Sequence, residues 1–399
     1  MSTKSHRQQR KQHHLISQQV NRISSSGIRR FFDLLASMEG VISLGVGEPD
    51  YATPWHIRES AIYSLEKGYT MYTSNLGMPE LRQELSQYLK DNYNLDYDPN
   101  SELLITVGVS EALDLATRAI LHPGDEVIMP DPCYVSYNPC VILAGGKPIM
   151  VPTKQENNFE ISATDIAARI TTRTKAILIG YPANPTGAVM SRDKLTQIAE
   201  TARRHNLVVI SDEIYAKLIY GVEHTCLAAL PEMKERTILL GGFSKAYAMT
   251  GWRIGYAAAT REIIAAMTKI HQYTIMCAPI MGQVAAIEAL REGETSITEM
   301  VEEYNRRRLT IVKGLNDIGL SCFEPRGAFY AFPSIKSTGM TSEEFAERLL
   351  IEEKVAVVPG SAFGECGEGY VRCCYATSLA EIEEALPRIK RFVNKHKQV

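Results

Sequence analysis

The sequence predicts an α/β protein built on a parallel sheet with both faces covered. Three observations carry this. Short apolar runs recur at 103–107, 126–129, 147–151, 175–179 and 207–210, with amphipathic stretches between them. Runs that are apolar throughout mark strands buried on both faces, and strand–helix alternation makes neighbouring strands parallel. Polar residues collect just beyond the runs: Asn184-Pro-Thr-Gly after one, Asp212-Glu-Ile-Tyr after the next. Ligands of such sheets bind outside the carboxyl ends of the strands. Finally, the 399-residue chain has room for more than one domain, and near residue 290 its texture changes to the short strands and helices of a smaller α+β unit.

Composition narrows the function classes. The chain is 45% hydrophobic and 22% charged, as globular proteins are. A net charge of −3 gives no reason to expect nucleic acid or a membrane surface. No apolar run reaches the roughly 18 residues of a membrane span, and no signal-peptide core opens the chain. Cys133, Cys140, Cys226, Cys277, Cys322, Cys366, Cys373 and Cys374 show no Cys-x2-Cys pair or zinc spacing. Free thiols in a reducing compartment, with no metal site, are expected.

In chain order, residues 1–14 are polar and basic and read as a disordered tail. Residues 28–38 show helical spacing in Ile28, Phe31, Phe32, Leu34 and Leu35. A short strand then leads to Gly45 and Gly47, which permit close backbone approach, or simply turn the chain. Thr53 as N-cap and Pro54 in the first turn predict a helix to about residue 67, ended by Gly68. Tyr72 follows in a loop, and a second Pro-started helix is predicted at 79–93.

The strand at 103–107 runs through Gly108-Val109-Ser110 into a helix at 111–121. Free N–H groups and the dipole at a helix start favour an anion, although Gly-x-Ser is also an ordinary cap. Tyr134 offers an aromatic face to a flat ring, or to the core. Helices at 162–170 and 191–205 separate the next strands. Asp212, at a buried strand end, needs a partner because an unpaired buried charge is costly; it meets a cation or caps a helix. Glu213 reads as its structural neighbour.

Residues 241–255 are the most distinctive stretch. Lys245 stands in a Gly-rich turn between the apolar runs 237–240 and 254–259. A lysine held there is desolvated, which lowers its pKa and makes the amine nucleophilic. Ser244 and Arg253 supply a hydroxyl and a planar cation suited to a phosphate. An imine-forming amine beside a phosphate cradle suits pyridoxal phosphate; a surface lysine in a loop is the alternative. Helices follow from about 262 and after 279. A long charged helix at 294–318 carries Arg306-Arg307-Arg308, read as a solvated face. Arg372 lies in an apolar strand and needs an anion, either an internal carboxylate or a ligand.

Ser244-Lys245-x2-Ala248-Met249-x-Gly251-x-Arg253-Ile254-Gly255 resembles the lysine signature of class I/II aminotransferases, the fold-type-I pyridoxal-phosphate enzymes. The resemblance runs from about Ser26 to about Val393 and is nearest to the bacterial and archaeal branch with aspartate and aromatic amino-acid aminotransferases. It includes 325–330, 355–363 and 370–378. It implies a large cofactor-binding domain at 56–289, with a mostly parallel seven-stranded sheet between helices. A smaller α+β domain would span 290–399, joined by an N-terminal segment at 15–55. It implies Lys245 as the catalytic residue that holds the cofactor. Val109, Ser110, Ser244 and Arg253 would take the phosphate, Tyr134 the ring face, Asp212 the ring nitrogen, and Asn184 and Tyr215 the ring oxygen. Tyr72 would reach the phosphate of the neighbouring subunit in a homodimer. Gly47, Asn184 and Arg372 would hold the substrate carboxylate. Arg29 and Arg30, in the segment that closes over the site in the family, are candidates for an acidic side chain.

The implied reaction moves an amino group from an aromatic or acidic L-amino acid, such as aspartate, to a 2-oxo acid such as 2-oxoglutarate. It would be cytoplasmic and ping-pong, through pyridoxamine phosphate. Another fold-type-I enzyme, such as a C–S β-lyase, would share nearly all these residues. A sensor domain of a transcription regulator would need a DNA-binding domain before it, where only about 25 mostly polar residues stand.

Overall fold

The computed structural model describes residues 15–23 and 38–396. The expected tail at 1–14, the expected helix at 28–38 apart from Met38, and Arg29 and Arg30 lie outside them. The chain begins with α1 (Gln18–Asn21), β1 (Ile42–Ser43), α2 (Trp55–Glu66) and α3 (Pro79–Tyr93). Strands and helices then alternate through β2 (Leu103–Thr106), α4 (Gly108–Ile120), β3 (Glu126–Asp131), α5 (Tyr137–Leu143), β4 (Lys147–Pro152), α6 (Ala163–Ala167), β5 (Thr174–Gly180), α7 (Arg192–Arg204) and β6 (Val208–Asp212). β7 (Thr237–Gly242) and β8 (Gly255–Ala258) follow.

These strands form one seven-stranded sheet in the order β2-β8-β7-β6-β5-β3-β4. Neighbours from β7 to β4 are parallel, while β8 is antiparallel to both β7 and β2. The loop 243–254, which carries Lys245, joins β7 to β8 with no crossover helix, and the two strands run antiparallel. Alternate residues feed two separate cores, as a sheet buried on both faces requires. Ile128, Ile177 and Val209 belong to one core; Met129, Leu178 and Ile210 belong to the other.

The helix at 79–93 forms as expected, and Ser162 and Ser191 cap α6 and α7 by accepting from Asp165 and Lys194 N–H. Thr53 does not cap α2. Pro54 holds that place, while the Thr53 hydroxyl donates to Ala248 C=O at 2.6 Å and accepts from Trp252 Nε1 at 2.9 Å. The lysine turn, distant in sequence, outcompetes the local cap. The helix expected at 111–121 starts earlier, at Gly108.

The remaining elements are α8 (Arg261–Thr274), α9 (Ile280–Glu292), α10 (Glu294–Ile318), β9 (Tyr330–Ala331), α11 (Ser342–Glu353), β10 (Val355–Ala356), β11 (Val358–Pro359), β12 (Val371–Cys374) and α12 (Leu379–His396). Residue 290 lies in the last turn of α9, which Gly293 separates from α10. β9, β11 and β12 make an antiparallel sheet, and β1 pairs with β10 in parallel. Ile42 and Leu44 share a core with α10, α11 and α12.

The expected solvated face on α10 is corrected by the structure. Arg307 and Arg308 are buried, at 6% and 4% exposure. Arg307 is held by Asp50 and Glu303; Arg308 by Glu324 and the Pro325 carbonyl. Only Arg306 of the three extends into solvent, beside Glu303. Carboxylates from other parts of the chain make burial tolerable, since a buried charge needs a partner. Among the described residues all eight cysteines are free, and no helix is long and apolar enough to cross a membrane.

Candidate active site

A cavity of about 300 Å³ opens at the carboxyl ends of β5, β6 and β7. Of the residues singled out in the sequence, Gly47, Val109, Ser110, Tyr134, Asn184, Asp212, Tyr215, Ser244, Lys245, Arg253 and Arg372 all line it. Tyr72 does not: it lies elsewhere, 81% exposed.

Lys245 follows β7. Its Nζ donates to the Gly47 carbonyl at 2.7 Å and faces the rings of Phe329 and Tyr215 at 5.7 and 5.9 Å. Burial is the main force on this amine and takes its pKa down to about 8; Arg372 and Arg253 push the same way, against Cys374 and Glu48.

Asp212 is the last residue of β6 and is 6% exposed. Both its oxygens are taken by neutral donors: Tyr137 Oη–H at 2.9 Å and Ile214 N–H at 3.2 Å. Burial raises its pKa to about 6, and those two hydrogen bonds restrain the rise. Glu213 points elsewhere, to the Ser211 hydroxyl, Leu227 N–H and His224.

Arg372 projects from β12 and is 6% exposed. Nη1 donates to Asn184 Oδ1 at 2.9 Å and Nη2 to the Gly45 carbonyl at 2.8 Å, while the buried Nε has no partner. The guanidinium packs over Tyr330 and Phe363 at 4.4 and 5.0 Å. Its partners among the described residues are thus amide and backbone oxygens, and the internal ion pair weighed from the sequence is not among them.

The two separate anion signals converge. α4 begins at Gly108 with no side-chain cap from Val107, so its first N–H groups stay open to a ligand. Ser244 and Arg253 reach the same cavity. Gly108 has φ +71°, which favours glycine, and a Cβ there would displace the Arg253 guanidinium. Arg253 itself has φ +58° and donates to Thr250 C=O at 2.9 Å.

Three of the lining residues that had no role assigned from the sequence shape the site. Tyr137 supports Asp212, and Gly180 leaves space for its hydroxyl. Tyr330 hydrogen-bonds Tyr215 Oη at 2.8 Å and flanks Arg372. Phe363 also packs against that guanidinium. Tyr137 sits one turn after Tyr134, and Tyr330 ends the 325–330 stretch, which were the available signals. No His, Cys, Asp and Glu group fit for a metal occurs among the described residues.

A family model for aminotransferase class I and II matches residues 39–389. A putative aminotransferase of Bacillus subtilis is 58% identical over 380 residues, covering 95% of this chain and 98% of that protein. An aspartate aminotransferase of Pyrococcus abyssi is 47% identical over 385 residues, covering 96% and 99%. The crystal structure of an aromatic aminotransferase from Pyrococcus horikoshii matches with a TM-score of 0.88 at 45% identity, covering 92% of this chain and 99% of that one.

Proposed function

The chain belongs to the class I and II aminotransferases, enzymes that pass an amino group between amino acids and 2-oxo acids, and from that premise we propose that it works with pyridoxal phosphate in the cavity at the ends of β5 to β7. One observation carries the reading. Lys245, Asp212 and Arg372 share one cavity, with Asp212 and Arg372 buried and Lys245 partly so, and the polar contacts of each are to neutral groups. Three such charges are costly unless a ligand answers them. An aldehyde, a protonated ring nitrogen and a substrate carboxylate are the complements that fit.

The cofactor's phosphate suits the start of α4 with Ser244 and Arg253; its ring suits Tyr134. Bound there, pyridoxal phosphate supplies an electron sink for the charge left when the substrate Cα loses its proton. Lys245 would hold the cofactor through its neutral amine and would take the Cα proton. Asp212 would set a fixed negative charge at the ring nitrogen, and Tyr137 holds that carboxylate in place. Asn184 and Tyr215 would donate to the ring oxygen. Arg372 docks the α-carboxylate, with Asn184 and the Gly45 carbonyl fixing its plane. Two half-reactions on one set of residues give ping-pong kinetics.

The donors we assign are aromatic or acidic amino acids such as aspartate, with 2-oxoglutarate as acceptor. The names of the relatives support both classes, and Tyr134, Tyr330 and Phe363 give the cavity an aromatic wall. A homodimer with Tyr72 completing the partner's phosphate site is supported by the exposure of Tyr72 beside exposed Tyr69 and Met71. The free cysteines support a reducing, cytoplasmic setting. The relatives are named aminotransferases, and no observation favours a β-lyase. A panel of aspartate, glutamate, phenylalanine and tyrosine against 2-oxoglutarate and pyruvate tests this. The expected result is amino transfer to the acceptor; ammonia and pyruvate released from a cysteine conjugate without acceptor would overturn it.

A further inference from the structure

The arginine run on α10 has a use that neither its exposure pattern nor the chemistry above explains. Arg307 is almost wholly buried, and its Nη1 donates to both carboxylate oxygens of Asp50, each at 2.9 Å. Its Nε donates to Glu303 at 3.0 Å. The guanidinium lies beside the edge-to-face ring pair of Tyr304 and Tyr51, at 5.5 and 5.6 Å, and Tyr304 Oη also reaches Asp50 at 3.4 Å. A guanidinium this enclosed does not exchange its partner cheaply, because losing one carboxylate leaves a buried charge short of compensation.

Asp50 ends the loop at 45–50, and that loop crosses the site. Its start is fixed by Leu44, whose N–H donates to Ala356 C=O and whose carbonyl accepts from Cys374 N–H. Its middle presents two carbonyls inward: Gly45 to Arg372 at 2.8 Å and Gly47 to Lys245 at 2.7 Å. The approach is close, since a Cβ on Gly47 would stand 2.7 Å from Tyr330 Oη. Glu48 adds one contact from the Thr250 hydroxyl, and Asp50 closes the far end on α10.

We propose that the Asp50–Arg307 pair is a latch that sets where the Gly45 and Gly47 carbonyls stand, and through them the aim of Arg372 at the substrate carboxylate. Asp50 and Arg307 are positioning residues: neither lines the cavity. The inference rests on Arg372 docking the substrate, as proposed above. It separates two properties of the site. Of the residues assigned to the cofactor, Asp212, Ser244 and Arg253 stand on β6 and the lysine turn and make no hydrogen bond to this loop, whereas Lys245 meets it at the Gly47 carbonyl.

The test is a double-mutant cycle on the intact holoenzyme with Asp50→Asn, Arg307→Lys and both together. KM and kcat for donor and acceptor, cofactor retention and melting temperature are read for each. Asp50→Asn is expected to raise KM about tenfold for donor and acceptor alike, with kcat changed by less than about threefold, as small misalignments of a docking group do. Cofactor retention should stay at the wild-type level. Because the two residues act as one unit, the double variant should be no worse than the worse single. Glu324→Gln, which strips Arg308 on the same helix of its carboxylate, serves as the control and should leave KM unchanged. Unaltered KM in Asp50→Asn, additive losses in the cycle, or an equal KM rise in Glu324→Gln would each overturn the latch. Arg372→Lys, run alongside, separates the two claims. If it leaves KM intact, the docking role of Arg372 is wrong and the latch falls with it; if it raises KM while Asp50→Asn does not, only the latch fails.

Discussion

Replacing Asp212 by Asn should make the cofactor-free protein more stable while nearly abolishing its reaction. In the folded chain, burial takes the carboxyl from 3.8 to about 6. A folded-state pKa above the unfolded one means that the native fold favours the neutral acid. Its stabilising contribution is complete below about pH 4 and is lost as pH rises through about 6. A rise of about two units corresponds to about 3 kcal/mol, so at neutral pH the stripped protein carries a penalty of that order. Asn keeps the shape, and the Tyr137 hydroxyl and Ile214 N–H keep a side-chain partner. Urea denaturation of the stripped proteins across this pH range is the assay. Asp212→Asn should gain up to about 3 kcal/mol near pH 7 over wild type, and the gain should vanish near pH 4. With cofactor bound the advantage should shrink or reverse, because the carboxylate then has its cation, and transamination should be slower by several orders of magnitude. A gain that is absent, or equal at both pH values, would refute the picture of an unanswered buried carboxylate. Near-normal turnover would reduce Asp212 to a structural residue.

Other outcomes follow from the same geometry. Lys245, with its pKa lowered to about 8, should be neutral in about one molecule in ten at pH 7, against about one in three thousand for an ordinary lysine. Cofactor uptake by stripped protein should therefore rise with pH and level off just above 8; a rise that continues beyond 10 would contradict this. Arg372→Lys keeps the charge and loses the planar fork, so kcat/KM should fall by about a hundredfold for all donors alike, with cofactor retention unchanged. A loss confined to acidic donors would assign Arg372 to the side chain. In mixed dimers of Tyr72→Ala and Lys245→Ala chains, one site regains intact Lys245 and Tyr72, and activity should reappear. If chain exchange is shown by differential tags and activity stays absent, the shared site is wrong.

Much of the site was legible because its residues sit where strand patterns end. The run 207–210 is apolar, so the acidic residue that closes it had to be buried, and Asp212 is. Gly-rich sequence around Lys245 likewise foretold a turn between two buried strands. Long-range contacts were the part that could not be read. Thr53 looks like a cap because its neighbours are local, yet its hydroxyl bonds residues about 200 positions away. Arg307 and Arg308 look solvated because Asp50 and Glu324, which make their burial tolerable, lie outside the helix pattern. The signals at Tyr137 and Tyr330 did not give a role: a tyrosine in an apolar stretch has the same spacing whether its hydroxyl meets the core or a carboxylate. Backbone conformation was equally hidden, since positive φ at Ala248 and Arg253 belongs to residues that seldom adopt it.

The central claim is that Lys245 moves the proton in an amino transfer. It is tested most directly by mixing holoenzyme with an amino donor and no acceptor, and measuring 2-oxo acid and ammonia over time. Wild type should release one equivalent of 2-oxo acid per subunit and no ammonia, then stop until an acceptor is added. Lys245→Ala, loaded with cofactor, should bind donor and release none in that time. Oxo acid formed by Lys245→Ala at close to the wild-type rate, or continuous release with ammonia from wild type, would contradict the account.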